Sequence, residues 1–339
     1  MKIVIDDKIP YINNVFEPYA EVVYASGASM DAALVQDADA LIVRTRTKCN
    51  ADLLSGSSVK MIATATIGYD HIDREFCAKN NIVWRNAPGC NADAVVQYVF
   101  AAISQLIGDE YKDLTLGVVG VGNVGSRVAS FAQKLGMRVL RNDPPRAEKE
   151  GADGFVSIAE IQKQADIITF HTPLTCGDYY PTYHLLNDYF IKSLEKQPII
   201  INAARGEVTE STTLLCAKAE NKISGLVLDC WEGEPNLNLE LLAKADIATP
   251  HIAGYSMEGK ANATAMVVQA VSRFFCLELN DWKVDLPKNP NEKLVDLPLI
   301  EQVSNSYDIM ADDAAMRQQP ERFEALRGSY DYRRQPACL

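Results

Sequence analysis

Long apolar runs are missing from this 339-residue chain, and none approaches the roughly 20 residues that span a bilayer. Basic residues are short too: 33 Lys+Arg stand against 45 Asp+Glu, a formal net charge of −12. That balance lacks the basic footprint of non-specific nucleic-acid binding, so neither membrane nor nucleic acid is an expected partner. An anionic metabolite would need a local basic pocket. The eight cysteines, at 49, 77, 90, 176, 216, 230, 276 and 338, form no C-x-x-C pair and no Cys/His cluster of zinc spacing. Neither a disulfide framework nor a metal site is expected, and buried thiols such as Cys230 fit a reducing cytosol. The opening MKIVIDDKIP sets an acidic pair where a signal peptide would continue its apolar core. A soluble, cytoplasmic protein is expected. Tandem repeats are absent, and 19 Gly with 15 Pro exclude a collagen-like or low-complexity chain. What remains is ordinary globular composition, 47% hydrophobic and 23% charged, at a length that suggests two domains.

Short β-branched or apolar runs at 2–6, 21–25, 40–44, 61–66 and 82–85 alternate with helical pieces. Residues 91–107 then read as a long helix, with Pro88-Gly89 before it and Asn91 as its N-cap. A domain crossing is expected there. A second series of strands follows at 115–121, 137–142, 165–171, 198–203, 224–229 and 247–250. Their near-continuous apolar character means burial on both faces, hence a parallel sheet covered by helices. Helices are expected at 128–135, 158–164, 188–194 and 212–219, and a long last one at 257–277 returns the chain to the first domain. The predicted fold class is α/β: two doubly wound parallel-sheet domains, Rossmann or flavodoxin-like, with a short C-terminal appendage.

Gly120-Val121-Gly122-Asn123-Val124-Gly125 is G-x-G-x-x-G between a strand and a helix. Gly120, Gly122 and Gly125 would let a pyrophosphate reach the helix N-terminus. Asp143, at the end of the next strand and eighteen residues beyond Gly125, is placed to accept hydrogen bonds from ribose hydroxyls. It would repel a 2′-phosphate, favouring NAD over NADP, although Arg146 lies close by.

Three further residues sit at strand ends in the same domain. Arg205 follows 200–204, Glu234 lies in Trp231-Glu232-Gly233-Glu234-Pro235, and His251 follows Thr249-Pro250. Ligands bind outside the carboxyl ends of parallel strands, so the three can converge on one cleft. Arg can grip a carboxylate, His can exchange a proton with an alcohol, and a carboxylate beside that His would orient it and raise its pKa. A surface Arg and a solvated Glu are equally ordinary readings. His71, His171 and His184 compete with His251. In the basic stretch Arg44-Thr45-Arg46-Thr47-Lys48, a continued strand would put Arg44, Arg46 and Lys48 on one side, where a phosphate could meet guanidinium forks. Arg44 is the better candidate and Lys48 reads equally well as a solvated loop residue.

The glycine motif, NAARG, LDCWEGEP and HIAGYSMEGKA together resemble the D-isomer-specific 2-hydroxyacid dehydrogenases. One branch is marked by KIVIDDKIPY, TATIGYDHID, NAPGCNADAVVQYV, NDPPR and FHTPLT. The resemblance covers essentially residues 1–280. It implies Arg205, Glu234 and His251 as catalytic, with His251 the acid/base. It further implies Gly122, Val124, Asp143, Thr172, Asp229 and Gly254 as NAD contacts, and Thr45, Thr66 and Tyr255 as substrate contacts. Thr45 stands where the family pattern has Ser, which keeps the hydroxyl, and Ala204 is a harmless departure.

On this reading residues 1–92 and 279–298 make the substrate domain, 93–278 the NAD-binding Rossmann domain, and 299–339 an abridged C-terminal dimerisation region. The implied activity is NAD-linked oxidation of a small phosphorylated 2-hydroxy acid. A dehydrogenase for another such acid, 3-phosphoglycerate for example, and an NAD-sensing co-repressor module are the alternatives. A homodimer is expected, first from the family and second from the helix at 91–107. That helix is apolar around much of its circumference and must be buried on several sides.

Overall fold

The computed structural model describes residues 1–108, 110–177 and 179–339. The chain divides into two units, Met1–Asn91 with Met257–Lys288, and Ala92–Ser256 with Asn289–Leu339. Each is built on one parallel sheet.

The first sheet holds β1 (Lys2–Asp6), β2 (Glu21–Ala25), β3 (Ala40–Val43), β4 (Met61–Thr64) and β5 (Val83–Arg85), in the order β2-β1-β3-β4-β5. Ala40–Val43 and Met61–Thr64 are buried throughout, as strands covered by helices on both faces must be. Strand order reverses between β1 and β3, which sets Asp6, the last residue of β1, beside Arg44, the first residue after β3.

The second sheet holds β6 (Thr115–Val119), β7 (Arg138–Asn142), β8 (Ile167–Phe170), β9 (Ile199–Asn202), β10 (Gly225–Leu228) and β11 (Ile247–Ala248). Their order is β11-β10-β9-β8-β6-β7, with every pairing parallel. The reversal falls between β6 and β8, where such sheets bind ligands. Strands stop one to three residues short of the runs read from sequence, because the flanking apolar residues belong to the loops that carry the site. The helix after the glycine loop begins at Asn123, earlier than expected. A helix at Pro144–Glu150 also goes unmarked in the sequence reading. Proline costs little there, since its missing N–H falls in the first turn.

Two allocations differ from expectation. The helix Met257–Phe275 groups with the first unit, because its Val267, Val268 and Val271 are buried against Ile3, Ile5 and Met61. The C-terminal region is no loose appendage. Its helices are Leu299–Ser306, Ile309–Gln318 and Phe323–Gly328. Ile300, Val303, Tyr307 and Ile309 join the core around Tyr98, and Met316 and Phe323 join the core around Trp231. Asp313 Oδ1 accepts from the Ala248 N–H at 2.7 Å, and the Arg317 guanidinium donates to the Leu242 and Ala245 carbonyls, each at 2.7 Å.

That packing changes the argument for self-association. The helix Ala92–Ile107 is buried almost all round, as its composition requires, but Phe131, Leu116 and the C-terminal Ile300, Val303 and Tyr307 cover it within one unit. Its apolar circumference therefore calls for no partner chain, and the homodimer rests on family resemblance alone. Among the described residues, no helix is long and apolar enough to cross a membrane, and no group of His, Cys, Asp and Glu could hold a metal ion.

Candidate active site

Beyond β6 the chain turns at Gly120, whose φ of +85° an L side chain rarely adopts. A Cβ there would lie 2.8 Å from the His171 carbonyl carbon and the Thr172 nitrogen. At Gly125 it would lie 1.9 Å from the Gly120 oxygen, so both glycines are required for the loop to close on β8. Gly122, by contrast, caps the helix Asn123–Lys134 and faces open space. That is room for a phosphate against unpaired helix N–H groups. Beside the loop the Thr172 hydroxyl is buried, with no partner among the described residues. An orphaned buried hydroxyl next to an open glycine cradle fits a bound dinucleotide. Val124 is partly buried, one face of it against the core.

Asp143 holds this loop from the other side. Its Oδ2 accepts from the Val121 N–H at 2.8 Å, and its Oδ1 caps the next helix by accepting from the Arg146 N–H at 3.1 Å. Arg146 does not stand free for a 2′-phosphate. Its guanidinium pairs with Glu150 at 2.6 Å, donates to the Val121 carbonyl and lies over the Phe155 ring.

The second half of the unit assembles around a loop that follows β11. His251 sits there at φ +57°, and its Nδ1 lies 2.6 Å from Glu234 Oε1. A carboxylate only accepts, so the bond places the proton on Nδ1 and leaves Nε2 as the basic nitrogen. Glu234 Oε2 accepts from the Trp231 N–H at 3.2 Å. Burial pushes the Glu234 carboxyl up, but His251, the Trp231 amide and Arg327 together outweigh it, and its pKa is lowered. The carboxylate is therefore ionised where the mechanism needs it.

Arg205 reaches the same place through a close backbone contact. Gly206 packs so tightly on the Trp231-Glu232 peptide that a Cβ would lie 2.0 Å from the Trp231 carbonyl carbon. This fixes the turn bearing Arg205 on the loop bearing Glu234. Arg205, Glu234 and Arg327 all lie within electrostatic range of the buried Cys230 thiol. Burial and the Asp229 carboxylate push that thiol well up, so it stays protonated.

Asp229 is buried, and its carboxylate takes three donors: Thr249 Oγ1 and the Ile252 N–H, each at 2.7 Å, and the Ala253 N–H at 2.9 Å. Burial raises its pKa against the lowering effect of His251 and these hydrogen bonds. Its visible work is to fix the loop between His251 and Gly254. Tyr255 follows, its hydroxyl accepting from Arg327 Nε at 3.3 Å. Sequence reasoning passed over Arg327, which lies in a charged segment without a motif. Only the fold brings it to Glu234.

Thr45, Thr66 and Arg44 belong to the first unit. Thr66 Oγ1 donates to the Gly68 carbonyl at 2.8 Å and lies 2.7 Å from Thr64 Oγ1, which in turn lies 3.0 Å from His71 Nε2. Thr45 is exposed. The alternation drawn for Arg44, Arg46 and Lys48 does not hold: β3 ends at Val43 and Thr47 N–H turns back to the Arg44 carbonyl at 3.2 Å. Arg44 is also engaged, its Nε and a terminal nitrogen each 3.2 Å from an oxygen of the fully buried Asp6. Removing Arg44 would leave a buried carboxylate uncompensated, whatever else Arg44 does.

The other histidines separate by environment. His171 is half-buried, with Nδ1 shielded from solvent and Nε2 3.0 Å from Thr169 Oγ1, and desolvation pushes its pKa down to about 3, so it is neutral at ordinary pH. Burial, against the charge of Asp70, also lowers that of His71. His184 carries a carboxylate of its own, Glu232 Oε1 at 2.5 Å from Nε2.

Comparison with known proteins shows the family of the chain. Residues 85–253 match the family model for the D-isomer specific 2-hydroxyacid dehydrogenase NAD binding domain. Along 99% of its length the chain is 49% identical to an erythronate-4-phosphate dehydrogenase of Bacteroides fragilis, covering 97% of that protein. The corresponding protein of Bacteroides thetaiotaomicron is 50% identical over the same shares. That of Escherichia coli is 42% identical over 100% of this chain and 93% of its own. Among solved structures, Aquifex aeolicus D-lactate dehydrogenase, complexed with NAD and lactic acid, superposes with a TM-score of 0.70 at 26% identity. That match covers 85% of this chain and 100% of the other. An NAD⁺-bound 3-phosphoglycerate dehydrogenase of Entamoeba histolytica gives 0.68 at 27% identity, covering 84% and 99%.

Proposed function

The chain belongs to the erythronate-4-phosphate dehydrogenases, a branch of the D-isomer-specific 2-hydroxyacid dehydrogenases, and from that premise we propose how its residues carry the reaction. It is an NAD-dependent dehydrogenase. The substrate is 4-phospho-D-erythronate, the product the corresponding 2-oxo acid, and the oxidation serves vitamin B6 biosynthesis. NAD, when bound, supplies the two-electron acceptor for the hydrogen leaving C2. Gly120, Gly122, Val124 and Gly125 would line the pyrophosphate, Asp143 the adenosine ribose, and Thr172, Asp229 and Gly254 the rest of the cofactor.

His251 takes the C2 hydroxyl proton on Nε2. Glu234, already bonded to Nδ1–H, steadies the imidazolium that forms, because its charge lies 2.6 Å away in a partly desolvated site. Arg205 grips the substrate carboxylate and C2 oxygen through its fork of donors. The family resemblance supports Thr45, Thr66 and Tyr255 as substrate contacts, and Arg44 is the candidate for the phosphate, with whatever charge its pairing to Asp6 leaves. The observation that carries this reading is the bond between His251 and Glu234. It fixes the tautomer that a general base requires. A homodimer is proposed on the family resemblance alone.

A screen of 2-hydroxy acids with NAD and with NADP, followed by the absorbance of the reduced cofactor, tests the proposal. Turnover of 4-phosphoerythronate with NAD should exceed that of 3-phosphoglycerate and of D-lactate by at least about tenfold in kcat/KM, the scale on which one or two fitted polar contacts discriminate. Equal rates with 3-phosphoglycerate would move the chain to another substrate. No reduction of either cofactor would leave a nucleotide-binding module.

A further inference from the structure

The last residues of the second unit run along the loop that carries His251 and Tyr255. Arg333 is buried, and its guanidinium donates to the carbonyls of Ala94 and Ile252 at 3.0 Å and to that of Ala253. Its Nε donates to Gln97 Oε1 at 3.1 Å. Ser256 bridges to Arg333 in parallel, and Gln335 Nε2 donates to the Ser256 hydroxyl at 2.8 Å. Between these anchors the Tyr255 ring stands edge-on to Tyr330 and Tyr332, with centroids 6.2 and 6.1 Å apart. The backbone on both sides of Tyr255 is thus held by the C-terminal segment.

Arg327 goes further, into the side chains of the site. Its Nε donates to the Tyr255 hydroxyl at 3.3 Å, and its NH1 lies 3.8 Å from Glu234 Oε1. That oxygen is the one that accepts from His251 Nδ1. We infer that Arg327 is a positioning residue of the active site, holding the Glu234 carboxylate and the Tyr255 hydroxyl in place and offsetting the charge that Glu234 presents to His251. This rests on the reading of Glu234, His251 and Tyr255 proposed above, and it gives the C-terminal segment a part in catalysis rather than in assembly alone.

The Arg327 charge acts on the Glu234–His251 pair in a definite direction. A mostly buried cation beside Glu234 Oε1 is little screened and makes the Glu234–His251 pair harder to protonate. The other ionisable groups around the pair are Asp229, Cys230, Arg205 and Tyr255, with Glu324 acting on Arg327 itself. Loss of the Arg327 charge should therefore raise the pH at which the pair takes up a proton. A coupled pair titrates as a unit, so one reporter on the imidazole suffices.

The test is an NMR titration of the His251 ring in the full chain without substrate, its signals assigned by their loss in His251→Asn. In Arg327→Gln the midpoint should rise by about half a pH unit or more over the unsubstituted chain. Arg327→Lys, which keeps the charge, should return most of the shift. Unchanged midpoints in Arg327→Gln would overturn the inference. Kinetics then separate the two contacts. Arg327→Gln, Arg327→Lys and Tyr255→Phe should each raise KM for 4-phosphoerythronate about threefold or more, the loss of one hydrogen bond, while Tyr255→Phe leaves the titration in place. If Arg327→Gln fails to fold, the Lys and Tyr255→Phe variants still decide: a KM unmoved in both contradicts the positioning role. An inactive enzyme whose titration moves as described would sink the proposed substrate and leave Arg327 where we put it.

Discussion

Two histidine–glutamate pairs draw their carboxylates from one loop, the stretch after β10 that carries Glu232 and Glu234, and they are nearly alike. His184 meets Glu232 at 2.5 Å and His251 meets Glu234 at 2.6 Å. Both histidines adopt positive φ, +49° and +57°. Side-chain exposures are 24% and 27% in the first pair, 21% and 22% in the second, so burial does not distinguish them. What differs is the nitrogen that the carboxylate occupies. Glu232 binds His184 at Nε2, the outer nitrogen, and consumes the one best placed to reach a ligand. Glu234 binds His251 at Nδ1 and leaves Nε2 outermost.

The surroundings follow the same division. Glu232 Oε2 accepts from the Ser211 N–H at 3.0 Å, His184 donates its own N–H to the Glu207 carbonyl at 2.8 Å, and its ring stacks on Tyr183. Every available group ties one loop to the next. Around Glu234 stand Arg205, Asp229, Arg327 and Tyr255, charged or hydroxylic groups suited to a polar substrate. A carboxylate beside a histidine does not make a catalytic pair; the free nitrogen does.

The largest effect expected from breaking this symmetry is on turnover. His251→Ala should lower kcat/KM by a factor of about 10² or more, the usual loss on removing a general acid/base. His184→Ala should leave kcat/KM within about threefold and instead lower stability to denaturant by about 1 kcal/mol, the scale of one lost hydrogen bond. An enzyme crippled by His184→Ala yet normally stable would reverse the assignment.

His171 sharpens the contrast from outside, since it has no carboxylate partner among the described residues. It is neutral in the folded protein down to about pH 3, whereas an unfolded histidine binds a proton near pH 6.5. Between those values the unfolded chain holds the extra proton. The contribution is fully present above about pH 6.5 and is lost as pH falls toward 3, at up to about 1.4 kcal/mol per pH unit. Urea unfolding of His171→Gln across that range should show a stability slope shallower by up to that amount. Parallel slopes would mean that His171 is charged or exposed in the native state.

Much of this was legible in advance, for reasons that can be named. Central parallel strands, buried on both faces, read as unbroken apolar runs, the partly exposed β2, β5 and β7 read as shorter runs beside them, and the glycine loop declared itself by its place between β6 and a helix. Arg205, Glu234 and His251 were each marked by a strand end. The choice among four histidines was not legible from spacing, because it depends on which ring nitrogen a carboxylate reaches across 17 or 48 residues. Nor was Arg44's bond to Asp6, which follows from the order of β1 and β3, nor Arg327, whose helix of six residues carries no motif. The C-terminal region read only as a short appendage because its apolar residues are spread among charges. Only packing shows that they complete the core around Tyr98.

The claim that one pair is catalytic and the other structural is tested most directly by the pH dependence of kcat/KM in Glu234→Gln and Glu232→Gln, measured beside the unsubstituted enzyme with 4-phosphoerythronate. Glu234→Gln removes a negative charge 2.6 Å from the imidazole proposed as the base, so the acid limb should move to lower pH, by about one unit. Glu232→Gln should leave that limb where it is. An acid limb that moves in Glu232→Gln and stays in Glu234→Gln would contradict the account.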